Sequence, residues 1–269
     1  MGINITEANK SYLLSQTTYA ASILDMVGAT NCKALANPAC TKTPDSSSTT
    51  PLPHDPKLYR QITGSLQYLT ITRPDIAFAV NLLCQHMHNP DASHFQLLYR
   101  LLRYIKGTIS LGLPILQGPM VLRSYSIADW ARDKDTRRST SGYCTFLGNT
   151  LISWSVKKQH TVARSSTEAE YRSLATSLVD ILWLRRLLLD FNINSTAPTS
   201  MHCDSTSTIA LANNLVHPDK NKGPGAKEAF EAVSKAFQCL GDEESRKRNF
   251  FFRWNSIAYL RILKKILWK

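Results

Sequence analysis

Acidic residues are scarce in this chain. Twenty Asp and Glu stand against 32 Lys and Arg in 269 residues, a net charge of +12. That balance favours a polyanionic partner, nucleic acid first. A CxxC pair is also missing. The six cysteines, Cys32, Cys40, Cys84, Cys144, Cys203 and Cys239, form no compact cluster with histidine. The usual zinc-ligand spacings are therefore absent, and reduced thiols of a cytoplasmic or nuclear protein are expected. There is no charged, apolar, cleavable leader and no uncharged apolar run of membrane-spanning length, so no stable span is expected. Gly2 and Thr6 fit a loose myristoylation pattern, but residues 2–5 read equally well as a strand end. What is present is 43% hydrophobic residues, enough for a sizeable core in one or two domains.

The first part of the chain reads as helical. A short strand and turn lead into a helix over Ser15–Met26. Residues 37–56 are rich in Pro, Ser and Thr and read as a linker. Helices are predicted over Asp55–Leu69, Pro74–His88 and Asp91–Lys106. In the last, Phe95, Leu98, Leu102 and Ile105 repeat at helical spacing. Arg100, Arg103 and Lys106 lie off that stripe, as a solvated basic face or a surface for nucleic acid. After Leu113 the texture changes. Val121–Ala128, Ser141–Leu147 and Leu151–Val156 are short, rich in aromatic and β-branched residues, and bounded by turn signals. A long helix over Ser166–Asp190, a strand over Thr199–Cys203 and a helix over Ser205–Asn213 complete a βββ-α-β-α order.

Three acids stand out: Asp129, Glu170 and Asp204. They can meet if the first and third end neighbouring strands and the second opens the helix between them. Clustered carboxylates are hard oxygen ligands suited to Mg2+, and a pair of such ions can drive phosphodiester hydrolysis. Glu168 competes with Glu170, but Ser165-Ser166-Thr167-Glu168 is a capping box that occupies Glu168. Glu170 shares a helical face with Leu174, Ile181, Leu184 and Leu188, where a carboxylate needs a partner or a metal. Asp204 fits an N-cap as well as a ligand. Asp129 fits a turn acid, with Asp133 and Asp135 close by.

These residues sit in longer patterns. Tyr125-Ser126-Ile127-Ala128-Asp129-Trp130, Arg137-Arg138-Ser139-Thr140-Ser141-Gly142-Tyr143, the Ser165–Tyr171 stretch, Trp183-Leu184-Arg185-Arg186 and Cys203-Asp204-Ser205 resemble the ribonuclease H domain of copia-type retrotransposon polyproteins. Upstream, the Tyr59–Leu69 and Thr72–Asn81 stretches resemble the connection from reverse transcriptase to ribonuclease H. The resemblance covers about residues 1–216. It implies a nuclease that uses two Mg2+ ions to cut the RNA strand of an RNA–DNA hybrid. Glu170 and Asp204 match its second and third carboxylates. Its first is usually the leading Asp of Tyr-Ser-Asp-Ala-Asp-Trp, and Ile127 stands there. Asp129, two residues on, shares the strand face of Ile127 but is displaced by about 6–7 Å. The family's fourth acid is not found before the text changes at His217, and nothing matches the polymerase aspartates.

His217-Pro218-Asp219 and the following Gly223–Phe237 stretch resemble the second half of a J domain, the module that activates DnaK-type chaperones. Its basic chaperone-binding helix is absent. Phe230, Val233, Phe237 and Leu240 form an apolar stripe without that module's usual partner helix. Residues 245–269 mix eight Lys and Arg with large apolar groups and no acid, as a membrane-surface helix, a nucleic-acid arm or sequence under no functional selection.

The expected fold is α/β, a ribonuclease-H-like mixed sheet with flanking helices. It divides as 1–113 (reverse transcriptase remnant and helical connection), 114–216 (ribonuclease-H-like), 217–248 (partial J domain) and 249–269 (basic tail). The expected function is a degenerate ribonuclease H, weak or inactive. The alternatives are an active nuclease on Asp129, Glu170 and Asp204, a co-chaperone acting through His217, Pro218 and Asp219, and a nucleic-acid binder without catalysis.

Overall fold

The computed structural model describes residues 2–8, 11–39, 51–193 and 198–213. The fold is mixed α/β, with two sheets and six α-helices among these residues. The chain divides into two compact units, 1–116 and 117–269.

In the first unit, β1 (Asn4–Ala8) and β2 (Ser11–Ser15) pair as an antiparallel hairpin. β3 (Leu113–Ile115) joins the other side of β2, with Leu14 opposite Leu113. Where the sequence suggests one short strand, the structure has three. The helix predicted from Ser15 begins only at Thr17 (α1, Thr17–Met26), because Ser11–Ser15 is held extended between two partners.

Three more helices surround the core. α2 (Pro56–Leu69) starts on Pro56, and the Asp55 carboxylate caps it by accepting from the Lys57 N–H at 2.8 Å. α4 (Ala92–Gly107) starts with a reciprocal cap: Asp91 accepts the His94 N–H, and His94 Nδ1 accepts the Asp91 N–H, both at 3.0 Å. Between them the single helix predicted over Pro74–His88 is a 3-10 turn (Pro74–Ile76) followed by a shorter α3 (Ala77–Cys84). The turn folds Asp75 back onto Arg73. Beyond Cys84, i→i−3 bonds from Gln85 and His86 tighten the chain and end the helix.

The helices bury one apolar cluster, including Ile23, Leu24, Ile62, Leu66, Leu83, Leu98, Leu102 and Ile105. At its edge sits Arg73, 1% exposed. Its guanidinium forks onto Asp75 (2.9 and 2.7 Å) and also donates to the Thr108 carbonyl and hydroxyl, both at 2.8 Å. Tyr104 donates to the same Asp75 carboxylate. A buried guanidinium survives only when its donors are matched in this way. On α4, Arg103 donates to the Lys33 carbonyl at 2.6 Å and so ties down a loop of this unit.

The second unit holds a four-stranded sheet in the order β6-β5-β4-β7: β4 (Leu122–Asp129), β5 (Thr140–Leu147), β6 (Thr150–Lys158) and β7 (Ser200–Cys203). The first three form an antiparallel meander, and β7 lies parallel to β4. The long α5 (Ser166–Asp190) covers one face, and α6 (Thr206–Asn213) follows β7. α5 is joined to the sheet by hydroxyls. Ser177 Oγ lies 2.7 Å from Ser124 Oγ, and Ser173 Oγ donates to the Ile127 carbonyl at 2.8 Å. Strand alternation therefore turns Ser124 and Ser126 toward α5, and Tyr125, Ile127 and Asp129 toward the other face.

Candidate functional site

The start of α5 sets the site. Ser165 Oγ accepts from the Glu168 N–H at 3.1 Å, the forward half of a capping box. Glu168 does not reach back to Ser165. Its Oε2 accepts from the Arg164 N–H at 2.7 Å, and its Oε1 pairs with Arg172 one turn on. Buried and bonded twice, Glu168 holds the helix start.

Glu170 is two positions further and 6% exposed. Its Oε1 accepts the backbone N–H of Ala128 at 2.7 Å, so the helix is pinned to the end of β4. Its Oε2 faces the Cys203 thiol at 3.8 Å. Burial pushes the Glu170 carboxyl up; the Ala128 N–H opposes this, and the Asp204 charge adds to it. Burial also raises the Cys203 thiol. The Ser205 N–H donates to Cys203 and works against that rise, while Glu170 and Asp204 reinforce it.

Asp204 leaves β7 with its side chain exposed. It does not cap α6. Ser205 does: its Oγ accepts from the Thr208 N–H at 3.2 Å and its carbonyl from the Ile209 N–H at 3.0 Å. Asp204 can thus turn toward Glu170 and Cys203. One donor atom from each of Glu170, Cys203 and Asp204 lies within 4.8 Å of the others.

Asp129 is not in this group. It lies on the face of β4 turned away from α5, and Arg132 Nη1 bonds its carboxylate at 2.5 Å. Ile127 shares that face and is 56% exposed. Tyr125, next along it, stacks on His202 with ring centroids 4.7 Å apart. Of the three sequence candidates, the structure brings Glu170 and Asp204 together and leaves Asp129 outside. Sequence reasoning missed Cys203 and the Ala128 N–H. Neither carries a spacing signal, because the register Ser126↔Cys203 and the fold of α5 bring them in. His217, Pro218 and Asp219 lie outside the described residues.

Comparison with known proteins agrees with the sequence patterns. An uncharacterized mitochondrial protein of Arabidopsis thaliana is 49% identical over 184 residues, 68% of this chain and 76% of that protein. The Retrovirus-related Pol polyprotein from transposon RE1 of the same plant is 42% identical over 226 residues. The chain belongs to the copia-type retrotransposon Pol family. The Pol match covers 82% of this chain but only 15% of the polyprotein, so the chain corresponds to one segment of Pol. A second family, the DnaJ domain, matches residues 211–249. Over 33 residues, 12% of this chain and 9% of the relative, the chain is 67% identical to Chaperone protein dnaJ 49 of Arabidopsis thaliana. The Pol segment is thus followed by J-domain sequence. No solved structure matches the chain significantly. Among the described residues, no helix is long and apolar enough to cross a membrane.

Proposed function

We propose that the second unit is a ribonuclease-H-like domain that binds nucleic acid, an RNA–DNA hybrid by preference, and cuts it weakly or not at all. One observation carries this reading. Two acids converge at the end of β4, while the place of a third is held by exposed Ile127, and its neighbour Asp129 is bonded to Arg132. The order of strands and helices, the Pol relationship and the net charge of +12 support the hybrid as ligand.

The residues present do not fit a site for two Mg2+ ions. Mg2+ takes oxygen ligands in near-ideal octahedral geometry. Here one Glu170 oxygen is occupied by the Ala128 N–H, and its other neighbour is a thiol. Isoleucine offers no donor. The nuclease step is therefore not carried by these groups at a useful rate.

The test is cleavage of the RNA strand of a labelled hybrid in Mg2+. The expected result is binding that weakens steeply with salt and little or no cleavage. Robust turnover, lost in Asp204→Asn, would overturn the reading. Ile127→Asp separates the two explanations. A rise in cleavage of about 100-fold, the scale of about 3 kcal/mol, would show that only the third carboxylate is missing. Little change is expected while the Ala128 N–H and the thiol hold Glu170.

The J-domain match favours a second reading, a co-chaperone acting through His217, Pro218 and Asp219. It requires that the full chain stimulate the ATPase of a DnaK-type chaperone and that His217→Gln abolish the stimulation. No stimulation by the wild-type chain would remove it.

A further inference from the structure

The donors at the head of α5 are a thiol and two carboxylates, a mixed set that suits a softer ion than Mg2+. We propose that Glu170, Cys203 and Asp204 bind one thiophilic divalent cation of the zinc class, with the Ser126 hydroxyl as the inner polar contact to the ion or to its water.

Geometry is the first support. A tetrahedral zinc ion with bonds of about 2.0–2.3 Å holds its ligands about 3.5 Å apart. Glu170 Oε2 and Cys203 Sγ are already 3.8 Å apart, and the whole group lies within 4.8 Å. Small side-chain rotations close the remaining gap. Sulfur next to carboxylate selects zinc-class ions over Mg2+, which prefers oxygen and gives up its water reluctantly.

Ser126 is the second, independent observation. It is 7% exposed, and its buried Oγ has no hydrogen-bond partner among the described residues. A buried hydroxyl without a partner costs roughly 1–3 kcal/mol and is rare. Its position is fixed from three sides. Ser124 below it bonds Ser177, the Ala128 N–H above it bonds Glu170, and its register partner on β7 is Cys203. The hydroxyl therefore lies on the α5 side of the sheet, beside Cys203 and beneath the turn that carries Glu170. An ion or its water there would give the hydroxyl its missing partner.

Charge agrees. Among the described residues, the bonds that Glu170 and Cys203 make go to backbone N–H groups and to each other, none to Lys or Arg. Two acids beside a thiol, with no basic side chain bonded to Glu170 or Cys203 among the described residues, suit a cation. Binding would convert the thiol to a thiolate and release its proton to solvent. Asp204 is exposed, so an ion can reach the site from water and keep an open position.

The proposal stands on this geometry, whether or not the domain cuts a hybrid, and its test needs no nucleic acid. The full chain, stripped with a chelator, is titrated with Co2+, and the near-ultraviolet thiolate-to-cobalt charge-transfer band is followed. One equivalent should bring up the band, Zn2+ should abolish it, and millimolar Mg2+ should leave it. Cys203→Ser should remove the band, and Cys144→Ser should keep it. Glu170→Gln should weaken Co2+ binding at least about 10-fold, the lower end of losses seen even for outer-shell partners. If Cys203→Ser loses its far-ultraviolet circular dichroism, Asp204→Asn at the exposed position decides, with the same 10-fold loss expected. No band in the wild-type chain, an undiminished band in folded Cys203→Ser, or unchanged affinity in Asp204→Asn would overturn the site.

Discussion

The two units are held together by different means. In the first, four helices close on an apolar cluster, and Arg73, the one deeply buried guanidinium of this unit among the described residues, is held by four hydrogen bonds to Asp75 and Thr108. In the second, the long helix α5 meets its sheet through a line of hydroxyls: Ser173 and Ser177 on the helix, Ser124 and Thr145 on the strands. Apolar burial stabilises in proportion to area and is indifferent to direction. Hydroxyl bonds contribute only about 1 kcal/mol each but demand one orientation. The comparison teaches that the first unit gains stability from its core, while the second gains position from its seam. Position is what the site needs, because Glu170 reaches the Ala128 N–H only if α5 is set correctly along β4.

The sharpest break in this contrast is at Asp75. Asp75→Asn removes the charge opposite the buried Arg73 guanidinium and one of the two oxygens that accept from it, leaving an amide oxygen and Thr108 as acceptors. Removing one member of a buried pair costs about 3–5 kcal/mol. The Asp75 side chain is about one-third exposed, so about 2–3 kcal/mol is expected after allowing for solvent screening. All five tryptophans lie beyond residue 116. Urea unfolding followed by circular dichroism should therefore show the loss, while the tryptophan-detected midpoint stays in place. Equal shifts in both signals would show that the units do not keep separate accounts of stability.

The same residue gives the contrast a pH dependence. Burial alone would raise the Asp75 carboxyl, but the Arg73 fork and the Tyr104 hydroxyl outweigh it and hold it below the ordinary carboxylate value. A lowered folded pKa means stability that is fully present above about pH 4 and lost as pH falls through the folded value. Asp75→Asn should remove this part of the acid sensitivity. Asp133 in the second unit behaves alike: Lys158 and the Thr136 donors overcome its burial and hold it far below the usual range. Tryptophan-detected acid unfolding should therefore respond to Asp133→Asn and not to Asp75→Asn.

How much of this was legible depends on how local its cause is. The bounds of α5, 166–190, follow from a cap and an apolar period that lie within the helix itself. The role of Glu168 was readable for the same reason, although its reach-back lands on Arg164. The first unit's sheet was not readable. β2 takes β3 as a partner from about 100 residues away, and its segment Ser-Tyr-Leu-Leu-Ser shows no clean alternation. Residues within the site divide in the same way. Ile127 and Asp129 were assigned one face by the two-residue period of a strand. Cys203 looked like an ordinary thiol because its neighbour Glu170 lies 33 residues earlier and arrives on another element. For Asp204 the sequence left an N-cap and a ligand both open, and the structure gives the cap of α6 to Ser205, one residue on.

The smallest expected effect tests the seam itself. Ser124 and Ser177 share a bond at 2.7 Å, but Ser124 also lies 3.0 Å from Thr145 Oγ1 and 3.3 Å from the Cys144 carbonyl. Ser177→Ala therefore leaves Ser124 with other partners and should cost about 1 kcal/mol, seen as a lower tryptophan-detected urea midpoint. Ser124→Ala should cost slightly more, because Thr145 loses a partner as well. In a double-mutant cycle the pair should couple by about 0.5–1 kcal/mol. A seam that acts by positioning should show more in the metal titration than in stability. Ser177→Ala should weaken Co2+ binding although Ser177 touches none of the three donors, because it loosens the helix that carries Glu170. If Co2+ affinity in Ser177→Ala stays unchanged while stability falls, the hydroxyls only stabilise. The difference between the two units would then be one of amount rather than of kind.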